Sequence, residues 1–170
     1  MRVLVGSLIV GFVIVISYFG ITNHYKVNIM LDSCVDGDTA WFIINNEKVK
    51  VRFLGIDTPE STNIVEEYGM DASNYTCELL ESANDIYIEY DYNSDSHDKY
   101  DRLLGWVFVD GNNLSELLVS KGYAEVKYIY GNYKYIDNLC NKQYDAYNDK
   151  LGIWNNYDYT KNYCYKNNKY

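Results

Sequence analysis

An arginine and two carboxylates stand close together at the end of an apolar run, in Val51-Arg52-Phe53-Leu54-Gly55-Ile56-Asp57-Thr58-Pro59-Glu60. Carboxylate oxygens hold hard cations, and a guanidinium donates paired hydrogen bonds to phosphate or carboxylate. Pro59, the only proline of the chain, fixes its own φ and biases Thr58 toward an extended backbone, so Asp57, Thr58 and Glu60 leave the strand along a stiffened path. Such a path suits a metal or phosphate site, whose groups must be held in place before the ligand arrives. After Arg2, Arg52 and Arg102 are the only arginines, and lysine supplies the rest of the positive charge. Each residue also has a plainer reading when taken alone: Asp36 and Asp38 as turn residues, Arg52 as a surface ion pair, Tyr128 as half-buried packing.

The elements that must position these groups follow from periodicity. Tyr25 to Val35 is strand-like, Asp36-Gly37-Asp38 is a turn, and Thr39 to Ile44 is a second strand. Asn45-Asn46 reads as a tight hairpin turn into a third strand, Lys48 to Ile56, whose far end returns beside Asp38, so that Asp38 and Asp57 can face one another. Glu66 to Ser82 has helical length, and Ile86 to Tyr90 alternates like a strand. The polar run from Asn93 to Arg102 is a loop that delivers the second arginine to a strand, Leu103 to Val109. Leu114 to Lys121 is a short helix with Asn113 as N-cap and Gly122 as stop, and Ala124 to Tyr130 is extended. Ile136, Leu139, Cys140, Gln143, Ala146 and Tyr147 recur at helical spacing and define a last helix ending near Gly152. Trp41 and Trp106 read as core, Trp154 as a cap on it, and His97 as an exposed loop residue. Residues 155–170, rich in Asn, Tyr and Lys without periodicity, read as a loosely ordered tail. This order of elements predicts a small closed antiparallel barrel with helices packed around it, over residues 25–154.

Residues 1–21 are a separate unit. No charged residue occurs from Val3 to Ile21, and as a helix this segment spans about 28 Å, close to the ~30 Å hydrocarbon core of a bilayer. A cleaved signal has a shorter apolar stretch, and Tyr18 and Phe19 stand where small residues would mark a cleavage site. Length favours a hydrophobic membrane-spanning helix, and Arg2 with the amino terminus biases its start to the inside, opposed by Lys26 beyond it, so the folded domain is expected outside the cell; secretion after signal cleavage is the alternative. Cys34, Cys77, Cys140 and Cys164 fit an oxidising compartment and show neither CxxC nor zinc spacing; they leave open three complete pairings as well as buried free thiols. The formal net charge of −9 argues against broad attraction to nucleic acid, so any such contact must be local. The 20 tyrosines, many beside Asn and Lys, are as readily a matter of codon bias as of aromatic recognition.

Taken in order, Asp36-Gly37-Asp38-Thr39, Arg52 through Asp57-Thr58-Pro59-Glu60, Tyr68-Gly69, Asp98-Lys99-Tyr100-Asp101-Arg102, Tyr128-Ile129-Tyr130 and Leu151-Gly152-Ile153-Trp154 closely resemble the thermonuclease (staphylococcal nuclease) family, over roughly Val27 to Trp154. The resemblance implies an α+β fold, a five-stranded antiparallel OB-type β-barrel with three helices. It implies a Ca2+-dependent phosphodiesterase that cleaves DNA and RNA to 3′-phosphate products and acts as a monomer. By the same resemblance Asp38, Asp57 and the main-chain carbonyl of Thr58 are metal ligands, with Asp36 assisting. Arg52 and Arg102 bind the phosphate, Glu60 is the general base, Lys99 and Tyr100 contact a terminal phosphate, and Tyr128 and Tyr130 contact base and sugar. The chemistry is coherent: a phosphodiester repels hydroxide, so its hydrolysis needs a cation, a base and donors for the transition state. The chain departs from the family pattern in a shorter, lysine-free loop between Glu60 and Tyr68, in Asp101 where a glycine is common, and in its acidic surface. These departures predict weak, strongly salt-dependent binding of nucleic acid, with short or single strands preferred. The alternative is a nuclease-like barrel that serves as an extracellular binding module; the joint presence of Asp38, Arg52, Asp57, Glu60 and Arg102 argues against it.

Overall fold

The structure is a computed structural model that describes residues 26–62, 64–156 and 158–167. The segment 3–21, expected to span a membrane, lies outside the described residues; among those described, no helix is long and apolar enough to cross one.

The barrel is built from β1 (Lys26–Asn28), β2 (Met30–Cys34), β3 (Thr39–Ile44), β4 (Glu47–Phe53), β6 (Ile86–Glu89) and β7 (Leu103–Val109), hydrogen-bonded in the order β1-β6-β7-β4-β3-β2, with the short β8 (Asn112–Asn113) paired to the end of β7. Only Ile29 separates β1 from β2, and its N–H donates to the Ile86 carbonyl at 3.0 Å. One continuous N-terminal strand thus pairs with β6 at one end and β3 at the other, which closes five strands into a ring. Asn45 and Asn46 take φ of 51° and 68°, the left-handed pair that a two-residue hairpin turn requires and that Asn tolerates. That turn fixes the β3–β4 register, with Thr39 opposite Arg52.

Two details of the barrel differ from expectation. The ring is not antiparallel throughout: β4 and β7 run parallel, with Val51 beside Leu103. The long excursion through a helix and β6 lets β7 return in the same direction as β4, and local hairpin reasoning cannot see such a crossover. The third strand is also shorter than Lys48 to Ile56. It breaks at Leu54-Gly55, and β5 (Ile56–Asp57) turns away to pair with β9 (Glu125–Val126).

Helices α1 (Gly69–Ser82), α2 (Leu114–Ser120) and α3 (Ile136–Asn148) surround the barrel. The side-chain oxygen of Asn113 accepts the Ser115 N–H at 3.0 Å, the expected cap of α2. Phe42, Val51, Phe53, Trp106, Leu114, Leu118 and Leu139 are fully buried in one continuous core. Nearly every residue of β7 is buried because the barrel interior covers one face and helices the other. Trp106 is core as expected, but Trp41 is half-exposed, with Lys48 and Lys50 at 5.2 and 5.7 Å from its ring.

The cysteines form two disulfides, Cys34–Cys77 and Cys140–Cys164. The first ties β2 to α1. The second overturns the expectation of a loose tail: beyond Trp154 the chain makes a short 3₁₀ turn (Tyr159–Lys161) and α4 (Tyr163–Lys166), with Tyr159, Asn162 and Cys164 buried. Asp158 and Asn162 cap these turns by accepting the N–H groups of Thr160 and Cys164. Trp154, Ala146 and Tyr159 form a small separate cluster rather than a lid on the main core. A covalent tether and two caps order this segment, and neither leaves hydrophobic periodicity to read.

Candidate functional site

The site begins where β2, β3 and β5 meet. A Cβ at Gly37 would stand 2.7 Å from Thr58 Oγ1 and 2.9 Å from the Ala72 side chain, so only glycine lets the Asp36–Asp38 turn approach Thr58 and α1. The turn closes through the Asp38 N–H, which donates to Asp36 Oδ1 at 3.1 Å. The Asp38 side chain is buried, and its Oδ1 accepts from the Thr39 hydroxyl at 2.9 Å. Its Oδ2 accepts from the Thr58 N–H at 3.2 Å and lies 2.8 Å from Arg52 Nη2. The same Nη2 is 3.2 Å from Asp57 Oδ1, while Nη1 donates to the Phe53 carbonyl at 2.8 Å. Asp38 and Asp57 therefore do face one another, with the Arg52 guanidinium between them. Burial pushes the Asp38 carboxyl above its ordinary value even though Arg52 pulls it down.

Arg102 enters from the loop before β7. Asp98 organises that loop: its Oδ1 accepts the N–H groups of Tyr100 and Arg102 at 2.9 and 3.0 Å, and its Oδ2 takes Arg102 Nε at 2.7 Å and Nη2 at 2.6 Å. Burial of Asp98 acts to raise its pKa, but these hydrogen bonds from Arg102 and Tyr100 outweigh it and hold the carboxyl below its ordinary value. Asp101 adopts the left-handed φ of 61°, as expected for the residue standing in place of glycine. The carboxylate that grips Arg102 is that of Asp98, however, not that of Asp101. Nη1 of Arg102 reaches the Thr39 hydroxyl at 3.4 Å, so Thr39, opposite Arg52, links the two arginines. Tyr100 is exposed, with Lys99 Nζ and Arg102 Cζ at 4.9 and 5.5 Å from its ring.

Glu60 stands exposed on the rim. Its backbone is tied to Glu66 in both directions: the Glu60 N–H donates to Glu66 Oε2 at 2.9 Å, and the Glu66 N–H donates to the Glu60 carbonyl at 2.9 Å. A Cβ at Gly69 would lie 2.1 Å from that carbonyl oxygen, so glycine is needed for the start of α1 to close on Glu60. Behind Asp57, Lys127 Nζ lies 2.8 Å from both Asp57 Oδ2 and Glu125 Oε1. Burial alone would lower its pKa, but these two carboxylates raise it above the ordinary lysine value. Tyr128, at a left-handed φ of 59°, places its ring 5.7 Å from Arg52 Cζ, and Tyr130 is 83% exposed.

Arg52, Glu60, Arg102, Asp38, Asp57, Thr58, Lys99, Tyr100, Tyr128 and Tyr130 all line a single cleft of about 560 Å3. Sequence reasoning passed over Asp98, Glu66, Glu125 and Lys127. An aspartate two and four residues before its backbone donors is the readable mark of the Asp98 turn; Glu66 meets Glu60 across a six-residue loop, while Glu125 and Lys127 depend on contacts distant in sequence. Among the described residues, the one place where three Cys, His, Asp or Glu ligand atoms gather within 4.8 Å is Cys34, Cys77 and Glu81, and those two sulfurs are bonded to each other.

The chain is 43% identical over 150 residues to Endonuclease YncB of Bacillus subtilis, covering 83% of this chain and 70% of that protein. It is 42% identical over 137 residues to SPbeta prophage-derived endonuclease YokF of the same organism, covering 78% of this chain but only 46% of that protein. Identity to a thermonuclease of Staphylococcus hyicus is 29% over 140 residues, 81% of each chain. Residues 50–156 match the family described as Staphylococcal nuclease homologue, and the chain belongs to that family.

Proposed function

We propose that this protein is a calcium-dependent nuclease that hydrolyses the phosphodiester bonds of DNA and RNA, leaving 3′-phosphates. One observation carries the reading: two arginines, two facing carboxylates and an exposed glutamate, drawn from distant parts of the chain, converge on one cleft. Membership of the family and the names of the relatives, endonuclease and thermonuclease, support it.

The donor set fits calcium. Asp38, Asp57 and the Thr58 carbonyl are hard oxygen ligands, and a ligand set of only two carboxylates leaves positions for water and a substrate phosphate. Asp38, Asp57 and Thr58 all line the cleft, so these oxygens come from one wall of it. A bound calcium ion would supply positive charge to the phosphate in the transition state. Arg52 and Arg102 donate to the phosphate oxygens. Asp98 occupies the Nε–Nη2 edge of Arg102, so the Nη1 side is the edge presented to substrate. Glu60 takes a proton from water as the water oxygen bonds to phosphorus and the 5′-oxygen leaves. Tyr128 and Tyr130 offer stacking faces that accept any base, while the net charge of −9 favours short or single strands that bring fewer phosphates to an acidic surface.

Export to the outer face of the cell membrane, anchored through residues 3–21, completes the proposal. Two disulfides support an oxidising compartment, and loss of the folded domain when intact cells are treated with protease would be the direct check. For the reaction itself, the full chain is incubated with single-stranded DNA in calcium or in a calcium chelator, and the product ends are typed. Cleavage confined to calcium, with ends that accept no further extension until a phosphatase removes a 3′-phosphate, is the expected result. Equal cleavage in the chelator, or 5′-phosphate ends, would contradict it.

A further inference from the structure

Asp57 shares its carboxylate between two cations that lie on opposite sides of it. Arg52 Nη2 is 3.2 Å from Oδ1 and Lys127 Nζ is 2.8 Å from Oδ2. Lys127 is not a surface lysine that happens to fall near an acid. The β5–β9 ladder sets Asp57 opposite Glu125, and the Lys127 N–H donates to the Gly55 carbonyl at 3.0 Å, so the backbone of the lysine is fixed beside the strand that carries Asp57. Its ammonium is held from the other side by Glu125 Oε1 at 2.8 Å. Glu125 is fixed in turn by the tail, through Asn162 Nδ2 donating to Oε2 at 3.3 Å, and the adjoining Val126 N–H donates to Gln143 Oε1 at 2.6 Å. A chain of polar contacts thus runs from the tail tethered by Cys140–Cys164 to the rim of the cleft.

We propose that Lys127 is a resident cation of the metal site, which shares Asp57 with the incoming calcium ion and so sets how tightly calcium binds. The inference rests on the calcium reading given above. A fixed ammonium in contact with a ligand carboxylate repels a divalent ion bound to the same carboxylate, and it occupies an oxygen lone pair that the ion would otherwise use. The side chain of Lys127 is 44% exposed, so solvent screening reduces this repulsion without removing it.

Calcium titration calorimetry on the full chain tests the idea without measuring cleavage, using wild type, Lys127→Met and Lys127→Arg. Loss of the charge in Lys127→Met is expected to tighten calcium roughly three- to tenfold, whereas Lys127→Arg stays within about twofold of wild type. The gap between wild type and Lys127→Met narrows as salt rises from roughly 0.05 M to roughly 0.5 M. Were Lys127 only a brace that orients Asp57, the methionine variant would bind calcium equally or more weakly, and the proposal would fall while the calcium reading stood. Tightening by Lys127→Arg equal to that by Lys127→Met would also overturn it, because charge would then not be the cause. If none of the three proteins takes up calcium, the calcium reading fails and this proposal with it.

Discussion

At the scale of single residues, the cleft is a set of charges held in place by neighbours rather than by free rotation. Asp98 illustrates the point, since four donors converge on it and two of them belong to the side chain of Arg102. Because the folded-state pKa of Asp98 lies below its ordinary 3.8, its contribution to stability is fully present above that value. The contribution is lost as pH falls through the depressed pKa. In Asp98→Asn the backbone hydrogen bonds to Oδ1 remain and the ion pair does not. The melting temperature of the variant should therefore lie below that of wild type by a constant amount near pH 6, with the two curves converging as pH falls below 3.8. A gap independent of pH would mean that the carboxylate is not the group at work. Arg52 and Asp38 are both buried, and such a pair gives position more than net stability, because desolvation of both ions opposes their attraction.

At the scale of elements, what was legible in the sequence was what is local. The Asn45-Asn46 turn places Thr39 opposite Arg52, and from that hairpin alone Asp38 could be set against Asp57. The stop of α2 at Gly122 and its Asn113 cap follow from side-chain chemistry within a few residues. The arrival of Arg102 beside this hairpin was legible only through the family resemblance and not from local periodicity, because it depends on the parallel β4–β7 pairing. Lys127 stayed hidden for the same reason, since β5 and β9 pair across most of the domain. The start of α1 offers a test of element positioning. Gly69→Ala would push a methyl group against the Glu60 carbonyl, where a Cβ has only 2.1 Å. The Glu60 loop must then move, and a displacement on the order of 1 Å in a positioning group is sufficient to lower cleavage by about 10²-fold. The barrel lies elsewhere, so circular dichroism should be unchanged; full activity in Gly69→Ala would show that Glu60 does not need this contact.

At the scale of the whole molecule, one barrel supplies the walls and two disulfides fasten the outer pieces to it. The Cys140–Cys164 bridge closes a loop with a sequence separation of 24, and replacing both cysteines by serine should lower unfolding free energy by about 3 kcal/mol in urea. A loose tail would make that substitution nearly neutral. The family, the cleft and the reach of its residues meet in one central claim, that Glu60 acts as the base of a phosphodiesterase. The most direct measurement is digestion of single-stranded DNA in calcium by the full chain, wild type against Glu60→Gln, an exposed and nearly isosteric change that leaves the fold intact. The account predicts a fall of at least ~10²-fold in rate, the size expected for losing a general base. Cleavage by Glu60→Gln at the wild-type rate would contradict it.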